Sequence, residues 1–389
     1  MNESVDVVIV GSGLVGASLS IALAGSGRKV LQIEASPEQA LVERWDERHF
    51  VLAEASRLAL ERIGVWPRIS VKTPITRILG HRAGEFGRLE FRADQYQVPA
   101  LGYTVPASRL HAALRDGLAA AAGLERWQPA RVTGMRQTND GVLLDVEREG
   151  VSQTVRTALV AAADGAQSSL RALAGIGARE IDYRQTAVVA ALRPAAAEPG
   201  LAYERLTASG PMAILPVDSQ RLGLIYTLPA DEAPILQQLS DAAFLERLRL
   251  DLRDRLGRMT GVGARQLWPL KLTLADRLIG ERFVLIGNAA QSIHTLGAQG
   301  FNLGLRDAMA LAKVLCADQD DAGAAKRLDL YARGRAEDRD QTVRMSHGLV
   351  RMTASDTLPH QLFRFAAMTA LTHVPALRQR LALGAMGFR

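Results

Sequence analysis

The chain holds a single cysteine, Cys316. That excludes an internal disulfide framework and a zinc site built from several thiolates. Cys316 falls in the apolar pattern of a helix and is expected to be an inert core residue. Apolar runs are short, and none approaches the roughly 18 residues of a membrane-spanning helix. Only MNES precedes the first apolar run, too little for the basic and apolar regions of a secretory leader, so a cytoplasmic location is expected. Aromatic residues make up only 5%, and Trp45, Trp66, Trp127 and Trp268 stand apart from one another. Basic and acidic residues are interleaved, as in Glu246–Arg258, so the net charge of +6 gathers into no aromatic-studded basic stripe. Nucleic acid is therefore not an expected partner. No cluster of metal-ligating residues is visible in the sequence, and no metal is expected.

What is present is a globular balance, 48% hydrophobic and 23% charged over 389 residues, enough for two domains of ordinary size. Val5–Val10 (VDVVIV) predicts a strand, and Gly11-Ser12-Gly13-Leu14-Val15-Gly16 follows at once. A helix through Leu19, Ala22 and Leu23 ends at Gly25 and Gly27, and a second strand, Lys29–Ile33, ends at Glu34. This is a complete βαβ unit. Its glycines serve a tight turn, close backbone approach to a pyrophosphate, and helix packing. Glu34, 23 residues after Gly11, stands where a carboxylate would accept ribose hydroxyls. An adenine dinucleotide is implied, but the motif alone does not separate NAD from FAD.

Further on, Glu43–Gly64 reads as largely helical, with Arg48 at its head, which by itself is a solvated arginine. Pro74–Pro99 suggests short strands or a hairpin, and Arg109–Ala122 an amphipathic helix. Ala130–Val146 and Gln153–Val160 read as strands around the turn signal Asn139-Asp140-Gly141. The second runs into ADGAQSSLR (163–171), where Asp164 and Gly165 precede a helix. That pattern suits a phosphate or ribose contact, and it also suits Asp164 as a simple helix cap. Thr186–Leu272 is mainly strand-like, with one helix over Asp241–Leu256, and reads as a second domain whose sheet could cover a substrate.

Phe283–Asp307 (FVLIGNAAQSIHTLGAQGFNLGLRD) is an apolar strand stopping at Gly287, then a turn of small residues, after which Gly297, Gly300 and Gly304 bracket Gln299, Asn302 and a helix through Leu303, Ala308, Met309, Leu311 and Ala312. Glycines ahead of a helix N-terminus let a flat, electron-accepting ring approach backbone donors. An ordinary strand–loop–helix connection would look the same. Ala324–Met352 predicts a long charged helix. The tail beyond Gln361 carries only arginines as charge, with Leu371, Val374, Leu377, Leu381 and Met386 as a candidate apolar face. It fits a helix lying on a membrane surface, and at least as well one packed on its own protein.

Three features in fixed order, GSGLVG with Glu34, ADGAQSSLR and the Gly287 segment, resemble the class A flavoprotein aromatic hydroxylases of the para-hydroxybenzoate hydroxylase fold. The wording GNAAQSIHTLGAQGFNLGLRDA, DERHFVLAEASRLALERIGVW (46–66), YERLTASGPMAILP (203–216) and PALRQRLALGAMG (375–387) is similar to the ubiquinone-biosynthesis branch. Asn288 and Gln291, where most relatives carry Asp and His, look most like its 2-polyprenyl-6-methoxyphenol hydroxylases.

The resemblance implies an α/β fold: a Rossmann-like FAD-binding domain (1–73, 98–178, 273–345), an inserted β-sheet substrate domain (74–97, 179–272) and a C-terminal helical region (346–389). It implies FAD held by Gly11, Gly13, Gly16, Glu34, Arg48, Asp164, Gly165, Asn288, Gly297, Gln299, Gly300, Phe301 and Asn302, with Arg48, His294 and Thr295 at the reacting face. His294 is the candidate base, although a structural role in its loop is the commoner one, and Thr295 stands where a proline is usual. The implied reaction is hydroxylation of a polyprenyl-phenol with NAD(P)H and O2 through a flavin C4a-hydroperoxide. It also implies peripheral contact with the inner face of the cytoplasmic membrane through 361–389 and association with other ubiquinone-biosynthesis proteins. The alternatives are a class A hydroxylase of another aromatic substrate and a non-catalytic FAD-binding subunit.

Overall fold

A computed structural model of the chain describes residues 4–38, 44–45, 48–82, 88–207, 209–253, 255–293, 299–353, 370–371 and 373–388. In chain order the first part holds β1 (Val5–Val10), α1 (Leu14–Leu23), β2 (Val30–Ile33), β3 (His49–Ala53), α2 (Glu54–Arg62), β4 (Thr73–Ile75), β5 (Arg77–Arg82), β6 (Arg88–Arg92), β7 (Gly102–Pro106), α3 (Ala107–Ala119), β8 (Leu124–Trp127), β9 (Arg131–Thr138), β10 (Gly141–Arg148), β11 (Val151–Ala162) and α4 (Ser169–Leu173). The middle holds β12 (Ala178–Pro194), β13 (Leu201–Leu206), β14 (Pro211–Pro216), β15 (Leu222–Pro229), α5 (Glu232–Gln238), α6 (Asp241–Leu252), β16 (Met259–Val262) and β17 (Gln266–Ala275). The chain then returns through β18 (Ile279–Gly280), β19 (Phe283–Leu285), β20 (Gln291–Ser292), α7 (Gln299–Leu315), α8 (Ala325–Thr353) and α9 (Pro375–Ala385).

The first sheet runs β18-β19-β11-β1-β2-β8, with β10 and β9 added antiparallel to β11. Its centre is parallel: β1 pairs with β2 and β11, and β11 with β19. Val7, Val8 and Ile9 are wholly buried, as an unbroken apolar run in a sheet covered on both faces requires. The Asn139-Asp140 turn joins β9 to β10, where Thr138 faces Gly141.

The second sheet runs β20-β17-β12-β15-β14-β13-β5-β6, so the early β5–β6 pair is hydrogen-bonded into a sheet otherwise made of residues after 178. One face packs on α5 and α6 through Val188, Met212, Leu224, Tyr226, Phe244 and Leu248. Between the two sheets lies a small one, β3-β7-β4, packed with α2 and α3.

Three expectations need correction. Glu43–Gly64 is not mainly helical: His49–Ala53 pairs with Gly102–Pro106 as a strand, and the helix begins at Glu54. A five-residue apolar stretch fits either period, and its partner lies far along the chain. Cys316 is exposed, because α7 ends at Leu315. The tail residues do not share one apolar face. Met386 is buried with Ala382 against Ala93 and Leu101, whereas Val374 and Leu377 are exposed. The carbonyl of Met386 accepts from Ala55 N–H at 3.0 Å, which docks α9 on its own protein.

Candidate functional site: a dinucleotide edge and the sheet above it

The register places Val10 beside both Ala162 and Ile33, and Ala162 beside Leu285. Four parallel strands therefore end together, and the residues that follow them line one edge in the order Asn288, Asp164, Gly11, Glu34. Three strand spacings make that edge about 14 Å long. Ligands of open α/β sheets bind outside such carboxyl ends.

Each glycine of the first turn has its own reason. Gly11 has φ +104°, and a Cβ there would lie 2.4 Å from the Ala163 carbonyl oxygen. A Cβ on Gly16 would lie 2.0 Å from the Gly11 oxygen, which is how α1 closes onto the turn. A Cβ on Gly13 meets no protein atom within 4 Å. The middle glycine thus faces open space at the start of α1, where helix N–H groups point. This is a cradle a side chain would fill, and it fits a pyrophosphate.

Glu34 is fixed by two backbone donors at 2.7 Å, Ser12 N–H to Oε2 and Ser36 N–H to Oε1. Each oxygen keeps a lone pair for a ribose hydroxyl. Asn288 is exposed although its neighbours Gly287 and Ala289 are buried, so its amide points away from the core at the strand edge. Asp164 uses its carboxylate on α4, accepting from Ser168 Oγ at 2.5 Å and Leu170 N–H at 3.1 Å. Gly165, with φ +92°, has nothing near its Cβ position. Arg171 ties this loop to the next by donating to the carbonyls of Ala166 and Ala289.

At the start of α7, Gln299 is buried and donates to the Ala385 carbonyl at 3.3 Å, while its Oε1 has no hydrogen-bond partner among the described residues. A Cβ on Gly300 meets nothing within 4 Å. Phe301 packs on Phe50 with centroids 6.0 Å apart. The Asn302 side chain acts as a strand surrogate, donating to Val51 O and accepting from Ala53 N–H, both at 2.9 Å. His294, Thr295 and Gly297 lie outside the described residues, as does the tail from 354 to 369.

Arg48 is not a solvated arginine. Its guanidinium stacks 4.5 Å from the Phe50 ring and 5.1 Å from the Trp268 ring, so it bridges β3 and β17, and burial lowers its pKa.

Several residues with evident roles lie outside the sequence expectations. Asp307, wholly buried in α7, accepts from Gly287 N–H at 3.1 Å, Gln291 Nε2 at 2.6 Å and Arg335 Nε at 2.8 Å. Arg335 also pairs with Asp338, which binds Arg306. Arg339 donates to Gln291 Oε1 and to the Ala275 and Ala290 carbonyls. Gln291 thus supplies a donor to Asp307 and an acceptor to Arg339 at once. A charged pattern on α8 was visible, but not its targets 28 and 48 residues earlier. His49, beside Arg48, has a buried Nε2 with no partner among the described residues, and burial with nearby Arg221 pushes its pKa down to about 4.

Residues 4–346 match the family described as FAD binding domain. The chain belongs to that family of flavoproteins. It is 35% identical over 387 residues to ubiquinone hydroxylase UbiL of Rhodospirillum rubrum, covering 98% of this chain and 89% of that protein. It is 30% identical over 318 residues to 3-demethoxyubiquinol 3-hydroxylase of Escherichia coli, covering 81% and 80%. The fold matches that of p-nitrophenol 4-monooxygenase PnpA from Pseudomonas putida over the full length of both chains, with a TM-score of 0.80 at 17% identity. The resemblance carried by the three motifs therefore holds, and the chain is an FAD-dependent monooxygenase. Among the described residues, no helix is long and apolar enough to cross a membrane.

Proposed function

We propose that this flavoprotein hydroxylates a polyprenyl-phenol intermediate of ubiquinone biosynthesis, of the 2-polyprenyl-6-methoxyphenol type, using NAD(P)H and O2. The observation that carries this is similarity over nearly the whole chain to proteins named as ubiquinone hydroxylases. FAD, reduced by a nicotinamide nucleotide, would supply activated oxygen to an electron-rich ring.

The chain's own residues would do the rest. Gly11, Gly13 and Gly16 admit the pyrophosphate, Glu34 accepts ribose hydroxyls, and Asp164–Gly165 and Asn288 continue the edge toward the flavin. Residues from Gly297 to Asn302 would meet the ring, with Arg48 along it and His294 and Thr295 in the neighbouring loop. Residues 1–73, 98–178 and 273–345 form the FAD-binding part in this reading, with 74–97 and 179–272 over the substrate.

The test is NAD(P)H oxidation by the FAD-loaded protein with and without a short-chain 2-prenyl-6-methoxyphenol, with mass spectrometry of the product. Phenol-stimulated oxidation and a product heavier by one oxygen are expected. Oxidation indifferent to the phenol, with no oxygenated product, would sink the reading.

A polyprenyl substrate dissolves in lipid, so we also propose that 361–389 brings the enzyme to an anionic membrane surface. Sedimentation with anionic vesicles should weaken as salt rises. Absence of vesicle binding at low salt would leave α9 as a purely internal helix.

A further inference from the structure

The two faces of the second sheet are treated differently. On one, Val188, Met212, Leu224 and Tyr226 are sealed by α5 and α6. On the other, Ala187, Ala191 and Thr227 are buried, but a row that runs between them stays half-buried. The pairing defines one row across that face: Gln266, Val189, Ile225, Ala213, Glu204, Gly80 and Leu89. All seven are half-buried, so the described residues do not fill the space in front of them. Glu204 is the one ionisable group in the row.

This face looks toward β3. Trp268, in the row on one side of Glu204's, stacks on Arg48. Gly223, in the row on the other side, points at the His49 ring, whose Nδ1 would lie 3.9 Å from a Cβ there. The Glu204 row therefore runs between the rows that carry these two contacts with β3.

We propose that Glu204 is the catalytic base that takes the proton of the bound phenol's hydroxyl, a step resting on the phenol hydroxylation proposed above. The O–H bond breaks, the proton moves to a Glu204 carboxylate oxygen, and the electron pair stays on the phenolic oxygen, where it enriches the ring. When the oxygenated ring loses its C–H proton to water and regains aromaticity, the carboxylic acid returns its proton to that oxygen.

The environment suits the task. Burial pushes the Glu204 carboxyl up to about 7. An ordinary glutamate lies some six units below a phenol near 10, and the shift cuts that gap to about three. From β3, the titratable groups facing this side of the sheet are Arg48 and His49, with Arg221 and Asp218 beside His49. Arg48 is a cation, and His49, held down to about 4, is a far weaker base.

The test compares FAD-loaded wild type with Glu204→Gln, which keeps the side-chain size, using NAD(P)H and a 2-alkyl-6-methoxyphenol. Wild-type kcat should rise with pH to a plateau through about 7. In Glu204→Gln that inflection should vanish and kcat should fall roughly 100-fold, with KM little changed. A ring-fluorinated analogue already ionised at the assay pH should shrink the deficit to about threefold or less.

A second readout needs no turnover. Unfolded Glu204 releases its proton near 4.5 and the folded residue near 7, so wild type should lose stability relative to Glu204→Gln as pH rises between them. Equal kcat and pH profiles, or a deficit unchanged with the ionised phenol, would overturn the assignment while leaving the hydroxylase reading intact. A wild type that hydroxylates no phenol would overturn both.

Discussion

Two turns at the ends of parallel strands on either side of β11, those after β1 and β19, are built in opposite ways. The Gly11–Gly16 turn is closed by its own backbone: the Gly11 carbonyl leaves no room for a Cβ on Gly16, and Gly11 rests on Ala163. The Gly287 turn is held from outside. Its N–H donates to Asp307 of α7, and Arg335 and Arg339 of α8 hold Asp307, Gln291 and the Ala290 carbonyl. A self-contained turn tolerates changes elsewhere but no added atom. A turn held by buried charge depends on every partner of that charge.

The contrast breaks most visibly at Asp307. Asp307→Ala leaves Arg335 buried without its main partner and should cost about 3–5 kcal/mol of stability, measured by urea unfolding of the FAD-free protein. A loss under about 1 kcal/mol would mean that the network does not hold the Gly287 turn.

A smaller effect separates the two glycines of the first turn. Gly16→Ala forces backbone apart and should cost about 1–3 kcal/mol, lowering FAD affinity with it. Gly13→Val should leave the FAD-free stability within about 0.5 kcal/mol and abolish FAD uptake, since its side chain enters only the open cradle. Normal FAD binding by Gly13→Val would move the pyrophosphate elsewhere.

An effect confined to FAD affinity is expected at Asn288, which contributes one exposed amide to the second turn. Asn288→Leu should weaken FAD by about 1–3 kcal/mol through loss of an acceptor, whereas Asn288→Asp should hold it as well or better. Equal dissociation constants for Asn288→Leu and wild type, by fluorescence titration, would take Asn288 out of the site.

What was legible in the sequence was local. GSGLVG, its flanking strands and Glu34 lie within 30 residues, and their chemistry follows from spacing, because a phosphate cradle is made of consecutive backbone groups. The edge position of Asn288 and the start of α7 followed from one apolar run and the glycines after it. Only the tertiary structure decided that His49–Ala53 is a strand, since its partner is Gly102–Pro106. It likewise decided that Arg48 stacks between Phe50 and Trp268 and that the arginines of α8 serve a turn far away in sequence. Glu204 looked like any alternating strand residue. What sets it apart is a row assembled with six other strands, because burial and its effect on a proton come from what surrounds a residue, not from what adjoins it in the chain.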